Sequence, residues 1–427
     1  MSKSPNESFP KVFTDDSELE AVYRFFKNKH VTYEALLAPH IAETVARAGQ
    51  EGTVLAVHDS SAMVFGGEHE RHEVGSLDGT RAGFLGHFAL AVTAGEERRV
   101  LGVLGFEPTF RLNGPRGYEP RTRENRPDRE SLRWSRMVDT VRANVAHVIH
   151  VMDSEGDDYA LLAHLIEHHQ RLVIRAAYDR RVEPSGKVAT ELATTETVAC
   201  RNVPLGVRTR LASRGQKSRR LPRQPRMAKL QIRAAPVTLL CPDHRDGLPK
   251  TLTLNVVHVY EVDVPAGEQA VDWKLYTTEP IDTPEQVLAV VDYYRNRWVI
   301  EEFFKALKTG CAYEKRQLES RHALLNALAV LVPIAWQLLV LRDESRSDAP
   351  TCTALTSQQL EVLRAVSKRP LPANPTAREV MLAVAKLGGH IKNNGDPGWI
   401  VLGRGFMDLM SFEVGWEAAR AARRDQS

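Results

Sequence analysis

Residues 283–310 read Thr-Pro-Glu-Gln-Val-Leu-Ala-Val-Val-Asp-Tyr-Tyr-Arg-Asn-Arg-Trp-Val-Ile-Glu-Glu-Phe-Phe-Lys-Ala-Leu-Lys-Thr-Gly. The spacing predicts one helix. Thr283 suits its N-cap, Pro284 its first position and Gly310 its end. At helical pitch, Tyr294, Arg297, Glu301, Lys305 and Lys308 share one narrow face. Val299, Ile300, Phe303 and Leu307 take the opposite face, which suits packing on a core. The polar face sets one carboxylate among three cations and a phenol. A carboxylate can bind a divalent metal, and neighbouring cations can hold phosphate. The plain alternative is a solvated helix carrying spaced salt bridges.

Tyr294, Arg297, Glu301 and Lys308 also spell Tyr-x2-Arg-x3-Glu-x6-Lys. This resembles the YREK signature of bacterial insertion-sequence DDE transposases, the Tn-five-like transposase family. The similarity runs through Arg-Trp-Val-Ile-Glu-Glu-Phe-Phe-Lys-Ala-Leu-Lys-Thr-Gly (297–310). A match of that length is far more specific than four spaced residues.

The 427 residues suffice for two or three domains with sizeable cores. Hydrophobic content of 43% and charged content of 26% are ordinary for a globular chain. A net charge of +3 does not announce a polyanion partner, so the distribution of charge must decide. Cys200, Cys241, Cys311 and Cys352 are scattered, and Cys241-x2-His244 is only half of a zinc pattern. A reduced, cytoplasmic protein is expected, nucleoid-associated when on DNA. Met1 to Pro10 lacks a signal-peptide core. Ala323 to Leu341 is uncharged, but Asn326, Pro333 and Gln337 favour a buried helix over a membrane span.

Along the chain, residues 1–16 read as a poorly packed start and 17–27 as a helix. Thr53 to Val57 is a strand-like run that ends at His58-Asp59-Ser60-Ser61. An acid at a strand end is held on a rigid support, although such an Asp is commonly a turn former. Strands are expected at 83–93 and 100–106, and a mixed-charge, Arg-rich loop at 107–129. A helix at 131–144 leads into the buried-type strand 145–152 and a second strand-end acid, Asp153. His147 and His150 read as packing residues, and Glu155 and Asp157 as supporting acids or a helix N-terminus. A helix at 157–168 and a strand at 171–177, which holds Arg175, complete this part.

The segment 178–282 reads as β-rich, with short runs at 229–232, 237–240 and 251–260. Residues 201–240 hold eleven Lys and Arg and no Asp or Glu. They include Arg208, Arg210, Arg214, Lys217, Arg219, Arg220, Arg223 and Arg226. A run of one sign favours a polyanion over a merely solubilising loop. Helices are expected at 321–342, 357–367, 376–388 and 404–423.

The resemblance covers about residues 18–420 and implies more. The first catalytic Asp falls on Asp59, the second on Asp153 and the catalytic Glu on Glu301. Together they would hold two Mg²⁺ or Mn²⁺ ions. Tyr294, Arg297, Lys305, Lys308 and Arg175 would contact DNA. Trp273, in Trp-Lys-Leu-Tyr-Thr-Thr-Glu-Pro (273–280), would stack on a flipped base, although a Trp beside a strand is usually packing. The implied fold is α/β: an RNase H-like mixed five-stranded sheet flanked by helices, with a β-rich insertion and a helical C-terminal domain. The implied division is a shortened N-terminal helical region (1–50), a catalytic domain (51–177 and 271–342), a β-rich basic insertion (178–270) and a dimerisation region (343–427). The segments 383–389 and 415–418 resemble the family's subunit-pairing tail. The implied partners are double-stranded DNA, at transposon ends and target, and a second copy of the chain, with no membrane. The implied activity is cut-and-paste transposition. The chain begins late relative to the family, so the competing expectation is a shortened form that dimerises and inhibits, or a relic. A general metal nuclease fits the acids but leaves Trp273 and the tail unexplained.

Overall fold

The computed structural model describes residues 15–66, 71–77, 81–95, 98–111, 130–206, 223–346, 352–391 and 395–424. The expected loose start before residue 15, most of the 107–129 loop and the cations at 208–220 lie outside the described residues. The chain divides into two compact units. The first comprises Met1–Gly52, Asp59–Arg133 and Trp298–Ser427, and the second Thr53–His58 and Trp134–Arg297.

In the first unit, helices α1 (Asp16–Lys27) and α2 (Tyr33–Ala48) precede the outer half of strand β1 (Val54–Val64). Strands β2 (Gly83–Thr93) and β3 (Val100–Thr109) then pair antiparallel, with Phe88 opposite Phe106. The central element is α8 (Arg321–Glu344), capped by Ser320, whose side chain accepts the Ala323 amide. It is long and apolar enough to cross a membrane, yet 78% of its apolar window is buried inside the protein. Its polar donors find partners there. Asn326 donates to the carbonyls of Phe26 and Val31, and Trp336 donates to that of Val100.

Three further helices, α9 (Ser357–Val366), α10 (Ala377–Leu387) and α11 (Trp399–Arg424), follow. Two glycines let α11 approach its neighbours. A Cβ on Gly405 would stand 1.8 Å from the Val384 carbonyl oxygen, and one on Gly403 would stand 2.1 Å from that of Gly310.

In the second unit the inner half of β1 begins a mixed sheet. It continues with β4 (Val148–Met152), β5 (Arg171–Arg175), β9 (Asp272–Thr277), β8 (Thr251–Val262), β7 (Arg226–Leu240) and β6 (Ala199–Leu205), in that spatial order. β1, β4 and β5 run parallel, and the remaining pairs are antiparallel. Helices α3 (Leu132–Arg142), α4 (Tyr159–Glu167), α5 (Val188–Thr194) and α6 (Pro284–Asn296) accompany it. Trp134, Met152, Tyr159, Leu172, Ile174 and Tyr276 lie in one buried cluster. The sheet is longer than the expected five strands, because β9 pairs with both β5 and β8.

The runs expected at 229–232 and 237–240 are one strand, β7. Pro236 does not break it, since β6 pairs only with residues 226–232. At Pro236 the missing N–H faces no strand on that side.

Two buried histidines make stability depend on pH. In the first unit, His40 Nε2 accepts the Val103 amide at 3.1 Å, which requires a neutral ring. In the second unit, His150 Nδ1 lies 2.9 Å from His58 Nε2. Burial lowers each from 6.5 to about 4, and for His40 the nearby Arg47 adds to the effect. The unfolded chain therefore takes up these protons first. The stability they contribute is whole above pH 6.5 and drains away between 6.5 and about 4. Each ring contributes a slope of up to roughly 1.4 kcal/mol per pH unit. His40→Gln keeps an acceptor for Val103 without a titrating group. Urea unfolding between pH 7 and 5 should then lose one histidine's share of the slope.

Candidate active site

The second unit gathers five of the expected site residues. Met152, at the end of β4, pairs with Ile174 of β5, so Asp153 and Arg175 follow at the same level on neighbouring strands. Asp153 caps a short 3-10 turn (Ser154–Gly156), its Oδ1 accepting the Glu155 amide at 2.8 Å. Arg175 Nη2 reaches the Asp272 carbonyl at 3.5 Å, and its guanidinium stands near enough to the Tyr294 phenol to pull down its pKa.

Tyr294 is buried, at 6% exposure, in the last turn of α6. The Trp273 ring meets it edge-on, with centroids 5.4 Å apart and planes at 65°. Burial pushes the phenol above its usual value, against the pull of Arg297 and Arg175, while Asp153 adds to the rise. An acid, two guanidiniums, a phenol and an indole thus share one neighbourhood.

Asp59, Glu301, Lys305 and Lys308 belong to the first unit. Asp59 does not end a strand, because β1 runs on to Val64. The hydroxyls after it are compatible with a strand because Ser60 is satisfied. Arg133 Nε donates to Ser60 Oγ at 2.8 Å, and Ser60 Oγ lies 2.9 Å from His87 Nδ1. Arg133 can only donate, so Ser60 Oγ accepts there, and the His87 tautomer sets which of Ser60 and His87 donates to the other. Burial, with Arg133 beside it, holds the His87 imidazole well below its usual range. Asp59 Oδ1 accepts the Ser60 amide at 2.7 Å. Nothing in the sequence marked Arg133 as buried, since a helix start rich in Arg reads as a solvated turn.

The helix expected at 283–310 is not continuous. The capping box at Thr283 and Gln286 starts α6 as expected. At Arg297 the amide bonds Tyr294, three residues back, and the chain restarts as α7 (Trp298–Lys305). A wide turn, Ala306–Gly310, closes it, the Cys311 amide reaching back to Ala306. Glu301 is half-buried and Lys305 exposed. Lys308 leaves the expected strip, donating to the Ala62 carbonyl and lying 3.5 Å from Glu314. Glu314 in turn accepts the Val64 amide at 2.9 Å, so both side chains hold β1 just past Asp59.

The basic stretch 201–240 changes character in the fold. Arg201 pairs with Asp292, Arg226 with Glu261 and Glu268, and Lys229 with Asp263. Arg223 donates to the Gly206 carbonyl and Arg233 to that of Leu192. The acids come from distant sequence, so the one-sign run is neutralised at Arg201, Arg226 and Lys229.

Hard carboxylate donors beside guanidiniums suit a phosphodiester backbone, and they suit Mg²⁺ or Mn²⁺. Among the described residues, no three His, Cys, Asp or Glu stand close enough to enclose a metal ion. Residues 73–336 match the family model described as the transposase DDE domain, and residues 1–31 the one described as transposase DNA-binding. The chain belongs to the transposase DDE-domain family. The longer match spans Asp153, Glu301 and every candidate DNA contact, while Asp59 precedes it. A cryo-EM structure of the piggyBac transposase synaptic complex with hairpin DNA is similar at 12% identity and a TM-score of 0.33. The similarity covers 71% of this chain, which spans half of that one.

The arginines within the stretch differ from free phosphate clamps in a measurable way. Arg226 and Glu261 have side chains 11% and 2% exposed. Arg226→Met should strand Glu261 and cost about 3–5 kcal/mol in urea unfolding. The exposed Lys229→Met should cost under about 1 kcal/mol. Neither should change the salt dependence of DNA binding per folded molecule.

Proposed function

We propose that the protein is a DNA transposase of the cut-and-paste type, with an RNase H-like catalytic fold. Family membership over residues 73–336 carries this reading. The strand order and the neighbourhood of Asp153, Arg175, Trp273, Tyr294 and Arg297 support it. Double-stranded DNA is the proposed substrate, and the match of residues 1–31 to a transposase DNA-binding model supports that partner. The YREK resemblance supports a homodimer in the DNA complex and a hairpin route. In that route one strand is nicked, its 3′-hydroxyl attacks the opposite strand, the hairpin is opened, and the 3′-end joins target DNA.

Asp59, Asp153 and Glu301 are the proposed ligands of two divalent ions. All three supply the hard oxygen donors that Mg²⁺ prefers. Such ions, when bound, polarise the phosphodiester and lower the pKa of the attacking water. The chain's own residues would do the rest. Arg297 and Arg175 offer forked donors to phosphate oxygens, and Lys305 and Lys308 offer point charges. Tyr294, kept protonated by burial, can donate its phenolic proton to a phosphate oxygen. Trp273 presents an aromatic face to an unstacked base.

Nicking of supercoiled plasmid with Mn²⁺ tests the reading. Wild type should nick, and Asp153→Asn should lose more than the roughly 10–100-fold typical of an outer supporting residue. A wild type that binds DNA without nicking it, or a variant that nicks normally, would overturn the assignment.

A further inference from the structure

Four residues past Asp153 lies a carboxylate with no part in that scheme. Asp157 has a side chain 0% exposed, and Arg180, its partner, is 10% exposed. Asp157 Oδ2 accepts the Ala177 amide at 2.7 Å and the Tyr178 amide at 3.2 Å. Its Oδ1 accepts Arg180 Nε at 3.0 Å and Nη2 at 2.6 Å. Arg180 Nη2 also reaches the Asp157 carbonyl at 2.9 Å. Asp157 thus ends the turn that Asp153 begins and grips the chain two and three residues beyond Arg175. The turn between them is tight, since a Cβ on Gly156 would stand 2.9 Å from Met152 Cβ.

We propose that Asp157 is a positioning residue for the reaction, setting the spacing between Asp153 and Arg175. The proposal rests on the transposase reading above. Two loops leave adjacent parallel strands, and the ladder ends at Met152 and Ile174. Among the described residues no backbone pairing joins the two segments beyond that point, although Arg175 still pairs with Leu275 of β9. A single buried carboxylate with four donors supplies the link. Its geometry is stiff, because the Arg180 fork and two consecutive amides each restrict one oxygen. If Asp157 only supported the fold, its loss would lower the folded fraction and leave each bound complex fully active. A positioning role predicts the opposite pattern.

The test is single-turnover nicking in preformed complexes of the full chain with plasmid DNA, so that unfolded protein drops out. DNA affinity and peptide hydrogen exchange over 153–180 are measured on the same samples. Asp157→Asn should slow nicking per bound complex about 10–100-fold, with affinity changed less than about threefold. Exchange should rise in both loops. Asp158→Asn is the control. Asp158 caps α4 and pairs with Arg245, so this change should lower stability without slowing nicking per complex. Should Asp157→Asn fail to fold, Arg180→Lys carries the test, because it keeps both backbone contacts and removes the fork. A fall of threefold or more supports the proposal. Nicking by Asp157→Asn within about twofold of wild type, or slowing equalled by Asp158→Asn, overturns it. That outcome is distinct from failure of the transposase reading, in which wild type does not nick or Asp153→Asn still does.

Discussion

Parallel pairing of β4 with β5 is the constraint on which the second unit's site depends. The ladder joins Ile149 to Arg171 and runs to Met152 opposite Ile174. Because it ends evenly, Asp153 and Arg175 emerge together. β9 then pairs Leu275 with Arg175, and Trp273, two residues away, shares that face. α6, capped at Thr283, brings Tyr294 onto the Trp273 ring. Three ladders and one capped helix thus fix an acid, a cation, an indole and a phenol. Only the turn that carries Asp153 lies past its strand, and Asp157 ties that turn to residues 177–180. That economy suits chemistry in which small misplacements cost rate.

Buried polar groups mark where this order had to be protected. Arg133, Ser60 and His87 form one hydrogen-bonded chain, and Asp157 and Arg180 a bonded pair. Each would be costly if half-made, since a stranded buried charge loses its solvation without compensation. Each also lies within a few residues of a proposed catalytic acid. Apolar packing holds α8 and the sheet core, but it is non-directional. Hydrogen bonds add the direction that a site needs. A hydrophobic replacement of such a pair often preserves stability, so what these pairs add here is orientation.

Most elements were legible in the sequence because their periodicity is local. β2 spans 83–93 as read, and α8, α9 and α10 fall within two residues of expectation. The misses are tertiary. β1 continues through Asp59 because Arg133 and His87 satisfy Ser60, and neither is near it in sequence. β7 crosses Pro236 because its neighbour has already ended. The helix at 283–310 breaks at Arg297, although no Pro or Gly marks the place. The wide turn that follows takes Lys308 to a backbone carbonyl. The site's residue types were readable, since acids at strand ends and cations on a helix announce themselves. Their partners were not, since a hydrogen bond across two hundred residues leaves no spacing to read.

The basic stretch shows why charge runs need a fold before they mean anything. Its eleven cations look uniform in sequence. In the fold, five of them already face an acid or a carbonyl. They are not equally committed. Arg226 holds a nearly buried glutamate, whereas Lys229 and Asp263 are both largely exposed. A phosphate competing for Arg226 would have to leave Glu261 uncompensated in a dry place, which costs several kcal/mol. Competing for Lys229 would cost almost nothing, because exposed pairs are weak and screened. Among the described residues, any surplus charge for a polyanion therefore falls first to exposed pairs such as Lys229. The buried pairs come last and serve the sheet. The sign of a residue suggests a partner, and the depth of the partner it already has decides whether it can leave.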